Sequence, residues 1–376
     1  FNNKNFNICF FIFYISIIIS SLFSISFETS IIKSILYIRF FIFFYFINNF
    51  FSANDYKKFN ISIILSISFV IFDIIFQFIF GQDIFGYYPG MGGLRYQGPF
   101  GDEWISGGFL KNFGIIAIIY IFFNYRSKLG KNISFIALFL ILLTIFISGE
   151  KMALIIFSLF SLFFFAVHFK NFKFQLISLI IFFLGILSFM NYNNIQYLSG
   201  NLTKYEKISY RYTHQFLEVL GLTESSRNFF SDTPHGIHFL TAYEIFKKKK
   251  YFGTGIKTFR IYCDYIDPKV IENYGASKKR AKQFRCTSHP HNFILEILSE
   301  TGLIGLFGYL VLMSSVFFRF NWNFNQNSNL NLPYLISFIF FIFPFATSGS
   351  FFNNYNSLIL WIFLSFIFFK EKKITE

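Results

Sequence analysis

The sequence predicts an all-α protein, a polytopic transmembrane helical bundle with one large extracytoplasmic loop subdomain. The chain of 376 residues is 54% hydrophobic and 14% charged, whereas soluble domains carry roughly 25% charged residues. The apolar residues form continuous blocks, and a span needs about 20 of them. A long polar segment, 191–291, interrupts these blocks. Disordered, fibrous, disulfide-stapled and soluble cytosolic classes are therefore excluded.

About ten blocks are long and apolar enough to be candidate spans. They are 8–27, 31–51, 61–80, 109–124, 133–148, 152–168, 174–190, 292–318, 332–347 and 357–369. The first is too long for a signal peptide and lacks a small-residue cleavage site after it. Because the chain begins at Phe1 and not at Met, we expect a truncated N-terminus and about 12 spans in the full-length protein, which preserves the orientation.

The charges of the short loops set the orientation. With the N-terminus inside, the short outside loops contain three basic residues, Arg95, Lys111 and Lys151. The inside receives twelve: Lys4, Lys57, Lys58, Arg126, Lys128, Lys131, Lys170, Lys173, Arg319, Lys370, Lys372 and Lys373. This asymmetry follows the positive-inside rule and excludes the opposite orientation. It also accounts for the net charge of +14, so we expect a bilayer and no nucleic acid as partner.

The predicted organisation has three regions. Residues 1–190 contain the first seven spans, 191–291 form the large periplasmic loop, and 292–376 contain three spans and a short cytoplasmic tail. Loops longer than ~60 residues are translocated largely regardless of their charge. Since a structureless loop of this length is uncommon, we expect a helical subdomain.

Cys263 and Cys286 both fall in the large outside loop. On this topology they face an oxidising compartment, where thiols pair, so the sequence predicts a disulfide. The alternative is two free thiols, and two sulfurs are too few for a metal site. Cys9 lies in a span and is expected to be an inert apolar residue.

The segment that begins at Cys286 carries the most chemical information. Thr287 and Ser288 are natural helix caps, and Pro290 suits a first helical turn. His289 and His291 are therefore expected where the eighth span begins, at the outer membrane–water boundary.

The residues that follow form two sets in this span. Asn292, Glu296 and Glu300 recur at intervals of four and share one helix face. Gly302 and Gly305 are small residues that allow close helix packing.

A helix start at the membrane surface suits acid–base chemistry on a phosphorylated lipid. Its unpaired N–H groups and partial positive charge favour phosphate. The same field disfavours imidazolium, so a neutral His291 could take a proton from a hydroxyl. The alternative is that both histidines only cap the helix and contact lipid headgroups.

The histidine segment resembles a signature of a known family. His291-Asn292, nine residues and then Gly302-Leu-Ile-Gly305 are similar to the His-Asn-x9-Gly-x-x-Gly signature of the O-antigen ligase and O-antigen polymerase superfamily. The segment also lies where that family has it, between the large loop and the next span.

Three further segments resemble family motifs in the same order. They are Leu94-Arg95-Tyr-Gln-Gly98-Pro-Phe100-Gly-Asp102-Glu103, Ser148-Gly149-Glu150-Lys151-Met-Ala153, and Tyr251-Phe-Gly253-Thr-Gly255-Ile-Lys-Thr-Phe259-Arg260. Together with the histidine segment, the pattern covers roughly residues 60–320.

Two positions depart from the family pattern. Lys151 stands where the family has arginine, which keeps the charge and loses the bidentate fork. A second arginine of the family, early in the large loop, aligns nearest to His235-Gly-Ile-His238. Arg211 and Arg227 lie farther upstream, and we assign the role to Arg211.

The resemblance implies a metal-independent transferase without a cofactor. The donor would be an undecaprenyl-pyrophosphate-linked glycan at the periplasmic face of the bacterial inner membrane, and the acceptor a lipid A–core or glycan hydroxyl. His291 would be the general base. The proposed substrate-binding residues are Lys151, Arg95, Arg211, Arg260, His289, Asn292 and Glu300. Gly253, Gly255, Gly302 and Gly305 would be structural.

The acceptor decides between the alternatives. An O-antigen ligase is favoured because the large loop and its signature are more typical of the ligases than of the polymerases in this superfamily. The second reading is an O-antigen or exopolysaccharide polymerase, which joins lipid-linked repeat units. A non-catalytic lipid or glycan transporter would explain ten spans and a basic loop, but not the histidine segment; it would need a polar pathway at the membrane midplane.

Overall fold

The computed structural model describes residues 3–125, 128–168, 203–212, 228–319 and 330–370. Within these ranges the regular elements are helices, and the β-structure found there is an isolated bridge between Gly90 and Arg95. The predicted all-α class is confirmed.

The helices fall into three groups along the chain. The first group is α1 (Asn3–Leu22), α2 (Phe27–Leu36), α3 (Ile38–Phe50), α4 (Ala53–Phe80), α5 (Ser106–Asn124), α6 (Lys128–Ser148) and α7 (Lys151–His168). The predicted loop contains α8 (Lys204–Tyr212), α9 (Phe229–Asp232), α10 (Pro234–Lys248), α11 (Phe259–Tyr262), α12 (Pro268–Glu272) and α13 (Lys278–Phe284). The last group is α14 (Phe293–Arg319), α15 (Leu332–Phe341) and α16 (Asn354–Phe368).

In the part of the chain that is described, six helical segments are long and apolar enough to cross a membrane. They are Asn5–Leu22, Phe27–Phe50, Ala53–Phe80, Ser106–Asn124, Leu129–Ser148 and Phe293–Arg319. Three shorter apolar helices match further predicted spans: Lys151–Ala166, Leu332–Phe341 and Asn354–Phe368. The predicted span 174–190 lies outside the described residues. The protein is thus a polytopic, multi-pass membrane protein.

The described residues form two compact units, one from 1–53 and 227–376 and the other from 54–226. The described helices of the predicted loop are divided between them, with α8 in the second unit and α9–α13 in the first. The predicted division into spans and periplasmic loop remains a prediction.

In the first unit, α1 packs along α14. A side chain at Gly308 would collide with Phe13 and Ser16 of α1, so the small residue sets how closely the two helices approach. On another side of the unit, α3 packs against α16, where the fully buried Trp361 makes an edge-to-face contact with Phe44.

The long helix α14 is interrupted at Gly302, which has φ 65° and ψ −163°. Its neighbours bond to the loop around Gly253 instead of to their own helix. The amide N–H groups of Leu303 and Ile304 donate to the carbonyls of Lys250 and Tyr251 over 3.0 and 3.2 Å.

The loop also donates hydrogen bonds to α14. The N–H groups of Thr254 and Gly255 donate to the carbonyls of Ser299 and Glu300 over 3.1 and 2.7 Å. The loop Lys250–Gly255 therefore satisfies the backbone groups that the helix break leaves open, as a membrane segment requires. Gly302 serves this break and not, as the sequence suggested, simple close packing of straight helices.

The same loop also shortens α1. The carbonyl of Thr254 accepts hydrogen bonds from Ser24 Oγ (2.9 Å) and the Ile25 N–H (3.2 Å). A Cβ at Gly255 would collide with Ser24. The first span was predicted to reach residue 27, and it ends at Leu22 because the next residues turn towards this loop.

Helices α9–α13 form a small helical subdomain of the first unit. Their shared core contains Ile237, Ile245, Phe259, Ile266 and Ile271, all 0% exposed. The structure joins Cys263 and Cys286 in a disulfide, with a Cα–Cα distance of 5.2 Å. The bridge ties this core to the segment that leads into α14.

In the second unit, α5 packs against α6 and α7. The carboxylate of Glu150 accepts the N–H groups of Gly107 and Gly108 over 2.9 and 3.0 Å. These are orphan donors of the first turn of α5, and a carboxylate there also complements the helix dipole.

We predict that Gly253→Ala lowers the free energy of unfolding by about 3–5 kcal/mol. Gly253 has φ +67°, and its added Cβ would meet the backbone of Glu300 and Thr301. Gly275→Ala is the matched control, because φ is +95° there and the nearest atom lies 3.7 Å away; it should cost about 1–2 kcal/mol. Equilibrium unfolding in detergent measures the stability of both variants. Equal losses of stability would contradict the hydrogen bonding between this loop and α14.

Candidate active site

His291 is held in an uncommon backbone conformation. Its φ is 59°, a region that non-glycine residues occupy at a cost. Its carbonyl accepts the N–H of Ser348 over 2.8 Å, which fixes this turn against the loop that precedes α16.

The helix after His291 begins later than predicted. It starts at Phe293, and Asn292 is its cap, since Asn292 Oδ1 accepts the Leu295 N–H over 3.1 Å. The prediction that Thr287 and Ser288 cap the helix and that Pro290 lies in its first turn was wrong, because the left-handed turn at His291 separates them from it. Asn292 Nδ2 also donates to the carbonyl of Pro344 over 2.7 Å.

The fold brings four of the six histidines together. His235 and His238 lie on the first turn of α10, which Thr233 caps by accepting the Gly236 N–H over 3.0 Å. The ring of His291 lies 4.8 Å from that of His235, 5.2 Å from that of His238 and 4.1 Å from that of His289, between centroids. We call these four residues the histidine cluster.

Burial keeps three rings of this cluster uncharged, those of His238, His289 and His291. It lowers the pKa of His291. Burial, followed by the neighbouring histidines, lowers the pKa of His238 to about 3. Burial, His291 and Lys257 lower the pKa of His289 to about 3. At neutral pH these imidazoles therefore carry a lone pair that can accept a proton.

A buried carboxylate network lies beside this cluster on α14. Glu300 accepts the N–H groups of Lys257 and Phe259 over 2.8 and 3.0 Å. Glu296 accepts from Ser350 Oγ over 2.6 Å, and Lys257 Nζ bonds to the same hydroxyl. Both carboxylates are 0% exposed. Glu300 thus holds the loop that follows Gly255, and we assign it a positioning role.

Two other predicted residues of this region differ in exposure. Arg260 follows the same loop and is exposed, and its charge contributes, after burial, His291 and Lys257, to the lowered pKa of His289. His289 is half-buried, and its Nδ1 lies 2.8 Å from Ser288 Oγ.

The second unit contains a cluster of basic residues that we call the arginine cluster: Arg95, Arg211 and the segment Gly149–Lys151. Arg211 is 5% exposed, and its Nε donates to the carbonyl of Gly149 over 2.5 Å. Gly149 has φ +74°, and a Cβ there would collide with Arg211 and with the Leu94 carbonyl.

Positive charge exceeds negative charge in the arginine cluster. Burial, followed by repulsion from Arg95, lowers the pKa of Arg211 to about 10. Burial also lowers the pKa of Arg95, against the attraction of Glu150. The guanidinium of Arg95 lies over the ring of Trp104, 5.1 Å from its centroid. Such an excess of buried cations is suited to an anionic ligand.

A family model described as O-antigen ligase matches residues 136–310. This match, over a little less than half of the chain, supports membership in the O-antigen ligase and polymerase superfamily. The matched range includes Lys151 and Arg211 of the arginine cluster and all four residues of the histidine cluster. Membership implies an enzyme that transfers lipid-linked glycans in a membrane. A search of curated proteins finds no match.

The arginine cluster and the carboxylate network contain residues that the resemblance to O-antigen ligases did not single out as functional. Glu150 occupies a variable position of the Ser-Gly-x-Arg element, Lys257 a variable position after the Gly-x-Gly, and Ser350 a distant loop. No local pattern marks them, because they are defined by contacts between distant segments. His235 and His238 were noticed only as the stretch that replaces an arginine, and their spacing of three could have indicated a shared helix face.

We predict that His291→Asn leaves the fold nearly as stable as the native protein. Asparagine tolerates a positive φ, whereas a β-branched residue does not. His291→Val should therefore be less stable than His291→Asn by about 1–2 kcal/mol. Unfolding of both variants in the same detergent tests this, and a more stable valine variant would contradict the left-handed turn.

Proposed function

We propose that this protein is an O-antigen ligase that transfers a glycan from undecaprenyl pyrophosphate to a hydroxyl of lipid A–core. The reaction takes place at the periplasmic face of the bacterial inner membrane. The observation that carries the proposal is His291, an uncharged histidine fixed in a strained turn directly before a membrane helix. Such strain is frequent where a side chain must be aimed at a reacting group.

In this reaction His291 accepts the proton of the acceptor hydroxyl. The oxygen attacks the anomeric carbon of the donor sugar in line, the new glycosidic bond forms, and the bond to the pyrophosphate oxygen breaks. Undecaprenyl pyrophosphate leaves with the electron pair. His289 binds substrate next to His291, while Asn292 and Glu300 act by holding the backbone on either side of it.

The arginine cluster is suited to the leaving group. Arg95, Arg211 and Lys151 bind the donor pyrophosphate and neutralise the charge that develops on it. The guanidinium group of Arg211 partly replaces the one that the family has at the position of Lys151, because guanidinium binds phosphate oxygens in a bidentate manner. Arg260, exposed on α11, is a further substrate-binding cation of the proposal. The reaction as proposed uses no cofactor.

The contacts of the loops support the periplasmic assignment. Gly255, His291 and Ser350 lie in segments that the predicted alternation of spans places outside, and Ser24 lies at the outer end of the first predicted span. In the first unit these segments contact one another. In the second unit, the outside segments around Leu94, Gly149 and Arg211 do the same.

The proposal predicts the glycolipids of a strain that lacks the gene. Wild type should restore O-antigen on lipid A–core. His291→Asn should fail, with long chains retained on the lipid carrier, because the variant folds but accepts no proton. His168→Gln is the matched control, since it removes a histidine from the predicted cytoplasmic end of α7, and it should complement fully.

The same gel separates the alternatives. Lipid A–core that carries single repeat units without a ladder would identify a polymerase. Full complementation by His291→Asn would contradict the role of His291, and a glycolipid profile unchanged by loss of the gene would exclude this acceptor.

We further expect Arg211→Lys to lower transfer about 10-fold or more, chiefly through a higher KM for the donor. Lysine replaces the planar fork by a single ammonium group and loses the Nε donor to the Gly149 carbonyl. Arg280→Lys is the control, because Arg280 binds Asp232 over 3.1 Å in the other unit. An unchanged KM in Arg211→Lys would count against this assignment.

A further inference from the structure

Three members of the histidine cluster are arranged so that they could share one ion. A ring nitrogen from each of His235, His238 and His291 lies within 4.8 Å of the other two. We propose that these three residues bind a first-row transition-metal ion of the zinc class, and that the bound ion reversibly inhibits the enzyme. The inhibition rests on the proposed function, whereas the metal binding does not.

The buried ring of His238 points independently to a ligand. His238 is 6% exposed, and its Nδ1 is buried without a hydrogen-bond partner among the described residues. Its ring packs against His291 at 5.2 Å and against His235 at 6.1 Å. A buried polar nitrogen without a partner is unfavourable. A metal ion bound in the cluster would be that partner.

The backbone presents the three rings from two fixed positions. His235 and His238 are three residues apart on α10 and share a face of that helix. His291 is fixed by its left-handed turn and by the hydrogen bond from Ser348. Zinc–nitrogen bonds of about 2.0–2.1 Å place tetrahedral ligand atoms roughly 3.4 Å apart. Side-chain rotation can therefore close the site without moving the backbone.

The donor atoms define the class of ion. Three imidazoles suit Zn²⁺, Co²⁺, Ni²⁺ and Cu²⁺, whereas Mg²⁺ and Ca²⁺ prefer oxygen ligands. A second group of potential ligands, Cys263, Asp264 and Cys286, does not compete, since its two sulfurs form the disulfide.

The charges around the site favour reversible binding. The three ligands are neutral, so the dication keeps its full charge. Lys257 Nζ bonds to Ser350, in the same loop whose Ser348 N–H bonds to the His291 carbonyl over 2.8 Å, and this nearby positive charge opposes a bound cation. The site is therefore expected to fill and empty with the free metal concentration.

A bound metal ion makes His291 unavailable for the proposed reaction. The lone pair that His291 would use to accept the hydroxyl proton is donated to the metal instead. Glycan transfer then stops until the ion dissociates, and no covalent or redox change is involved.

The binding is tested with the purified full-length chain in detergent, without reductant so that the disulfide stays closed. The metal-free protein is titrated with Co²⁺, whose visible absorption reports tetrahedral coordination. We expect one bound ion in the wild type and in His168→Gln, and loss of the signal in His235→Gln and His238→Gln. Equal unfolding temperatures in EDTA verify that the variants fold. No signal in the wild type, or the same signal in the cluster variants, would overturn the site.

The inhibition is tested in a reconstituted transfer assay, with each rate normalised to that of the same variant in EDTA. Zn²⁺ at ten times its dissociation constant should lower the wild-type rate about tenfold by mass action, and EDTA should restore it. A variant such as His238→Gln should not respond. A rate that rises or stays constant at saturating Zn²⁺ would overturn the inhibitory role. If the wild type transfers nothing in EDTA, the proposed function fails, and the Co²⁺ spectrum still decides the metal site.

Discussion

A membrane helix satisfies its backbone groups internally, and α14 does not do so at Gly302. The carbonyls of Ser299 and Glu300 and the N–H groups of Leu303 and Ile304 bond instead to the loop Lys250–Gly255. Because unpaired backbone groups are costly inside a bilayer, the break and the loop require each other. This exchange holds the start of α14, and with it His291, against the subdomain that supplies His235 and His238.

The electrostatics of the two clusters differ for one physical reason. Burial removes charge from imidazoles, whose pKa lies near neutrality, but it cannot remove the charge of guanidinium. His238, His289 and His291 are therefore neutral bases. The arginine cluster remains cationic, with Glu150 as a partial counter-charge. The proposed proton acceptance and pyrophosphate binding rest on this difference.

Much of the fold could be predicted from the sequence, because the apolar blocks are long and the basic residues are asymmetric. The helical class and the positions of the long spans follow from these two features alone. Helix ends were less predictable. α1 ends early because of Ser24, and α14 begins late because of the positive φ at His291, and both depend on contacts with distant loops.

The candidate site was predictable only in part. His291, the glycines and the basic residues stand in spaced motifs, so a linear pattern indicates them. The contacts of Lys257 with Ser350 and of Glu150 with the start of α5 join distant segments and leave no such pattern. The sequence motif indicated Gly302 but not its structural role, because close helix packing and a helix break both favour glycine.

The most direct test of the account is chemical rescue at position 291. Glycine accepts φ 59° without strain, so His291→Gly should fold and leave space for an added base. The account predicts that the purified variant in EDTA transfers glycan very slowly, and that free imidazole restores part of the wild-type rate. Transfer by His291→Gly at the wild-type rate without imidazole would contradict it.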